Sequence, residues 1–203
     1  MRPDVVLVSG PCRSGSAAVA EVVHVLGWPM GSTFLAPVAP DFRFDWEDAE
    51  LTLRMGASVM CGRDPLDLFD FHSYVKARLE HSKAFCVTGQ RFGMKSGLFC
   101  IGATMGRIEC ELAAMRLRLF VIAVRRPKEA VEASIARQPG ASVMRRWNAA
   151  IEESGPHPYD YEIDYDRLVR FPSSEVALLA ARLGVDDPVA VSEAAIRVVI
   201  PRS

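Results

Sequence analysis

Apolar and polar positions follow two kinds of pattern along this chain, and their alternation sets the first expectation. Residues 4–9 carry the unbroken apolar run VVLV, too short for a helix and closed by Ser9 and Gly10, which predicts a buried parallel strand. A glycine loop at 10–15 follows, then residues 16–26 of helical composition, which Gly27 and Pro29 stop. Between 31 and 45 the chain turns to Pro, Gly, Phe and Asp. Pro37 and Pro40 forbid a long helix there, so an irregular surface segment is expected. Helical patterns resume at 46–59 and at 65–82, where Leu66, Phe69 and Leu79 can share an apolar side, and a short strand is expected at 85–88.

Residues 101–117 read as helix, and LFVIAV at 119–124 is the most strand-like run in the sequence, fit for the centre of a sheet. Helices over 127–137 and 142–153 come next, with Pro127 suited to a first turn and Pro139 and Gly140 between them. The order closes with a short strand at 160–164, a helical piece at 166–169, a helix at 174–183 and a last helix near 189–197. Ser173 is the expected cap of the 174–183 helix, with Glu175 in its first turn. Strands alternating with helices predict an α/β domain with a mainly parallel sheet.

A length of 203 residues suits one domain spanning 1–203. Lys and Arg number 24 against 25 Asp and Glu, so no global basic field exists to hold a nucleic acid backbone, and no nucleic acid partner is expected. The five cysteines are scattered, with no C-x-x-C pair and no metal-ligand spacing, which fits a reducing, cytoplasmic setting. Asp4 interrupts any signal-peptide pattern, and no stretch approaches the roughly 20 apolar residues of a membrane span, so membrane insertion is not expected.

The strongest chemical signal is SGPCRSGSA at 9–17, between the first strand and helix. Backbone N–H groups of such a turn, with the positive end of the following helix, form a phosphate cradle. Against the nucleotide-triphosphate loop G-x-x-x-x-G-K-[S/T], Gly10 and Gly15 fit, but Ser16 stands at the lysine and Ala17 at the hydroxyl position. Arg13 supplies a cation instead, and a guanidinium suits a bidentate oxyanion contact without a metal. The bland alternative is a structural turn with a surface arginine. A second signal, VRRPKEAVEAS at 124–134, places Arg126 at a strand end and Ser134 eight residues on, two helical turns into the next helix, where both can meet one phosphate.

Together these segments resemble the sulfotransferase superfamily, whose donor is 3′-phosphoadenosine 5′-phosphosulfate (PAPS) and whose nucleotide product is 3′-phosphoadenosine 5′-phosphate (PAP). PCRSGSA resembles its 5′-phosphosulfate loop, which implies that Pro11, Cys12, Arg13, Ser14, Gly15, Ser16 and Ala17 bind the donor, with the backbone N–H groups of 14–16 on the 5′-phosphate. Arg126 and Ser134 are similar in type, spacing and order to its 3′-phosphate motif. RFGMKSGLF at 91–99 resembles the G-x-K-[S/T/D]-P segment, which implies that Lys95 faces donor and acceptor, with Gly97 in place of the usual proline. Residues 39–51 resemble the acceptor-side segment, and 164–185 the late segment read as Y-E-D-L. The resemblance implies a three-layer, P-loop-like α/β fold with helices flanking a mainly parallel sheet. It also implies transfer to a hydroxyl or amine of a small-molecule or glycan acceptor, with no metal.

Such transfer needs cations for the bridging and sulfuryl oxygens, and Arg13 and Lys95 are the candidates. It also needs a base. Glu47 and Asp48 stand where the resemblance places an acid; Glu47 has the longer reach, while Asp48 suits a helix cap, and both have the bland reading of first-turn acids. His72, amid aromatics, reads as a packed or surface histidine, and His24, His81 and His157 belong to no constellation. Trp147 reads as core packing before adenine stacking, Cys12 as an oxidation-sensitive thiol rather than a nucleophile, and Arg202 as part of a frayed tail. Two other readings stay open: a phosphotransferase or nucleotidase with a degenerate phosphate loop, and a non-catalytic nucleotide-binding module. Acceptor choice is expected to lie in 31–45 and 55–82.

Overall fold

The computed structural model describes residues 2–30, 49–67, 69–85, 90–101 and 104–199. Among these, the strands β1 (Val5–Ser9), β2 (Phe92–Lys95), β3 (Leu119–Arg125) and β4 (Tyr161–Asp164) form one sheet in the order β2-β1-β3-β4. Every pairing is parallel, with Val8 beside Lys95, Ser9 beside Ala123 and Arg125 beside Asp164. The two most apolar runs, VVLV and LFVIAV, occupy the interior of the sheet, where both faces are covered.

Side-chain alternation divides the core into two. Val6, Val8, Ile122, Val124 and Ile163 face a cluster with α1 (Ser16–Val25), α7 (Tyr165–Arg170), α8 (Pro172–Leu183) and α9 (Pro188–Val199). Val5, Leu7, Phe92, Met94 and Val121 face the other cluster. It is built by α2 (Ala49–Met60), α3 (Phe71–Phe85) and α4 (Thr104–Ala114), with Trp147 of α6 (Ala141–Glu153) against it. Helices on both faces of a parallel sheet give the three layers expected from the sequence. No helix among the described residues is long and apolar enough to cross a membrane.

The differences from expectation have local causes. The helix expected from 65 begins only at Phe71, because aspartates take over the preceding backbone. Asp64 Oδ1 accepts the Leu66 N–H at 3.0 Å, and Asp70 Oδ1 accepts the Ser73 N–H at 3.0 Å, starting α3. Leu66 and Phe69 are buried all the same, in turns rather than on a helix. Of the strand expected at 85–88, Phe85 belongs to α3 and the rest lies outside the described residues; the strand here is FGMK at 92–95. Gly93 hides it from propensity, yet the missing side chain is what admits Met30 and the Trp28 carbonyl against β2. The helix expected from 101 begins at Thr104, after a short 3-10 helix (Gly97–Cys100) capped by the Ser96 hydroxyl. Ser173 is not a cap: Pro172 already occupies the first turn of α8, where its fixed φ fits.

Candidate functional site

The carboxyl ends of β1, β2 and β3 share one edge, the edge at which open parallel sheets bind ligands. The loop at 10–15 leaves β1 there and enters α1. Its Ser14 N–H donates to the Pro11 carbonyl at 3.1 Å, closing a tight turn. The amide of Ser14 is therefore spent inside the loop, a correction to the expectation that it holds a phosphate. The amides of Gly15, Ser16 and Ala17 open α1 and have no intrahelical carbonyl to take them. Ser14 itself is fully buried, and its hydroxyl has no hydrogen-bond partner. Such an orphan costs about 1–3 kcal/mol, which an oxyanion at the helix start would relieve.

Two residues of this loop take the left-handed conformation, Arg13 at φ 68° and Gly15 at φ 93°. Glycine at 15 answers a second demand, since a Cβ there would run into the Tyr165 ring. From this left-handed turn the Arg13 side chain reaches α5 (Lys128–Ile135), where its Nε donates to Ser134 Oγ at 3.0 Å. Ser134 is buried. From the end of β3, Arg126 Nη1 donates to the Arg13 carbonyl at 3.4 Å, while its guanidinium lies 4.9 Å over the Tyr165 ring. Arg126 Nε approaches Asp166 Oδ1 at 3.5 Å without the geometry of a hydrogen bond. Arg13, Arg126 and Ser134, drawn from two distant segments, thus form one cluster.

Lys95 ends β2 beside Val8 and is buried. Phe92 and Met94 occupy the α3 side, so alternation puts Lys95 on the face that α1 covers, at the end where α1 begins. Arg13 and Lys95 were paired by chemistry in the sequence; here the Arg13 guanidinium sits with Ser134. Gly97 explains its own departure from proline, since a Cβ at 97 would come within 2.6 Å of the Gly10 carbonyl. Glycine lets the lysine segment lie directly against the phosphate loop.

The sequence did not single out several neighbours of this edge. Tyr165 and Asp166 follow Asp164, the last residue of β4, so the strand-end rule that found Arg126 applies to them as well. Ser9 Oγ meets His157 Nε2 at 3.3 Å. Burial, and then the charge of Arg125, hold the His157 pKa below the ordinary histidine value of 6.5, which keeps it neutral at pH 7. Asn148 reaches Cys12 from α6, a contact that no local pattern announces.

Other candidates fall elsewhere. Glu47, Asp48 and Arg202 lie outside the described residues. Trp147 packs over Gly56 of α2, a core role. His72 Nδ1 pairs with Glu111 Oε2 at 3.3 Å, in a cleft of about 540 Å³ between α3 and α4 that shares no residue with the phosphate loop. Among the described residues, no group of three or more His, Cys, Asp or Glu is placed to hold a metal ion.

No protein-family profile and no curated protein sequence matches the chain. Among solved structures, the sulfotransferase STF1 from Mycobacterium tuberculosis superposes with a TM-score of 0.51 at 13% identity, over 97% of this chain and 71% of that one. Retinol dehydratase, in complex with androsterone and inactive cofactor PAP, superposes with a TM-score of 0.43 at 14% identity, over 98% of this chain and 65% of that one. The chain has the sulfotransferase fold, as the loop and the Arg/Ser pair led us to expect.

Proposed function

We propose that the chain is a PAPS-dependent sulfotransferase, carrying a sulfuryl group to a hydroxyl or amine of a small-molecule or glycan acceptor. The observation that supports this reading most is the loop edge itself: a buried, unpartnered Ser14 hydroxyl and open first-turn amides beside a cluster of Arg13, Arg126 and Ser134. These residues fit a nucleotide with phosphates at two positions. The amides of 15–17, Ser14 and Arg13 would hold the 5′ side, and Arg126 with Ser134 the 3′-phosphate. PAPS brings an activated sulfuryl group on a phosphate leaving group. Lys95, a buried cation on the same edge, would offset the charge that gathers on oxygen as the bond to that leaving group breaks. In this reading Glu47 takes the acceptor proton and Asp48 caps its helix, so Glu47→Gln abolishes transfer with folding intact while Asp48→Asn chiefly lowers thermal stability.

Calorimetry with PAP, and separately with ATP and magnesium, tests the nucleotide class. Binding of PAP without metal and no binding of ATP with magnesium is the expected result; the reverse would favour a phosphotransferase. Release of PAP from PAPS in the presence of an acceptor panel then tests the activity. PAP binding without any turnover would make the chain a nucleotide-binding module.

A further inference from the structure

The phosphate loop is held from outside by a residue 136 positions away. Asn148 Oδ1 accepts the Cys12 N–H at 2.7 Å, and Asn148 Nδ2 donates to the Cys12 carbonyl at 3.3 Å. Two bonds to one residue's backbone fix both the side-chain amide and the peptides on either side of Cys12. Asn148 is itself buried, at 9% exposure, so neither bond competes freely with water. The same helix touches the other parts of the edge: Trp147 lies over Gly56 of α2, and Ile151 would meet a Cβ on Gly97 at 3.3 Å. One turn of α6 thus spans the loop, the lysine segment and α2.

We infer that Asn148 is a positioning residue for the phosphate loop. Its clamp withdraws the Cys12 amide and carbonyl from the ligand side and holds the next residues in the left-handed turn at Arg13. That turn sends the Arg13 side chain to Ser134 and leaves the amides of 15–17 open. A loop with Gly10 and Gly15 at its ends has many conformations, and an anion binds the one with converging amides at a cost set by how rarely it is populated. Asn148 raises that population without touching the anion. For its ligand the inference rests on the sulfotransferase reading; the clamp itself does not.

The test uses Asn148→Ala and Asn148→Asp in the full chain, with PAP titration and mass-spectrometric alkylation of Cys12. Cys61 and Cys110, free and exposed, serve as internal references, Cys12 being a partly exposed thiol outside any disulfide. Asn148→Ala is expected to raise the Cys12 alkylation rate about fivefold or more over the references, by local opening, and to weaken PAP about ten- to hundredfold. Asn148→Asp keeps an acceptor for the Cys12 N–H but loses the donor and adds negative charge. It should therefore raise alkylation less and weaken PAP at least as much. If Asn148→Ala does not fold, Asn148→Asp decides by the same two readouts. A folded variant with wild-type Cys12 alkylation and wild-type PAP affinity overturns the inference, whatever its thermal stability, and leaves Asn148 a helix-packing residue. If the wild type itself does not bind PAP, the donor assignment fails, and alkylation alone judges the clamp: a rise supports it, no change overturns it.

Discussion

Two arginine–aspartate pairs stand at opposite ends of the sheet. At the amino edge, Asp4 accepts the Arg118 backbone N–H at 2.9 Å and its Nε at 3.0 Å, while the Arg118 carbonyl takes the N–H groups of Asp4 and Val5 at 3.0 Å each. Burial pushes the Asp4 carboxyl up, but the Arg118 hydrogen bonds and charge outweigh it and hold its pKa below the usual carboxylate value. At the carboxyl edge, Arg126 meets Asp166 only at 3.5 Å, stacks on Tyr165, and keeps a buried Nε without a hydrogen bond. The first pair closes the fold on itself. The second leaves a donor unspent near an orphaned Ser14 hydroxyl, and the proposed function assigns both to an anion.

If the carboxyl edge works and the amino edge only holds, substitutions should separate along that line. The largest effect is expected for Lys95→Ala, which should lower single-turnover transfer at saturating donor by about 10²–10³, with PAP affinity changed far less. A wild-type rate would make Lys95 a packing residue. Next comes Gly15→Ala, which forces a side chain into the left-handed region and into Tyr165. It should cost about 1–3 kcal/mol of stability by thermal melting and remove PAP binding from the protein that still folds. Asp4→Asn should cost about 1 kcal/mol or less, since Arg118 is exposed and Asp4 only partly buried, and leave PAP affinity unchanged.

Acid sharpens the contrast. The depressed Asp4 pKa contributes stability that is present above the unfolded value of 3.8 and lost as pH falls through the lower folded value. His157 and His24 are also depressed, both first by burial, so each contributes stability above 6.5 that falls away as pH drops below it. Melting curves of His157→Gln and His24→Gln should be flatter than wild type over the first pH units below 6.5, whereas Asp4→Asn should be less stable than wild type at neutral pH and converge with it only as the pH falls below 3.8.

What was legible in the sequence was local. VVLV, LFVIAV and the loop at 9–17 each carry their signal within one element, and Arg126 with Ser134 is a strand end followed by two helical turns. Asn148 and His157 meet the loop edge only through the packing of α6 and the segment after it, and no spacing encodes that. Tyr165 and Asp166 were within reach, because β4 ends at Asp164 on the same edge, but their segment reads first as architecture. The strand at 92–95 was lost to Gly93, whose poor propensity is overridden by the need to seat Met30.

The claim that this edge reads a nucleotide phosphorylated at two positions is tested most directly by titrating wild type and Arg126→Ala with PAP and with 5′-AMP. Loss of one charge-assisted contact, about 1.5–3 kcal/mol, should weaken PAP about ten- to hundredfold in Arg126→Ala and leave 5′-AMP nearly unchanged. Equal weakening of both nucleotides, or wild-type affinity for PAP in the variant, would contradict the assignment.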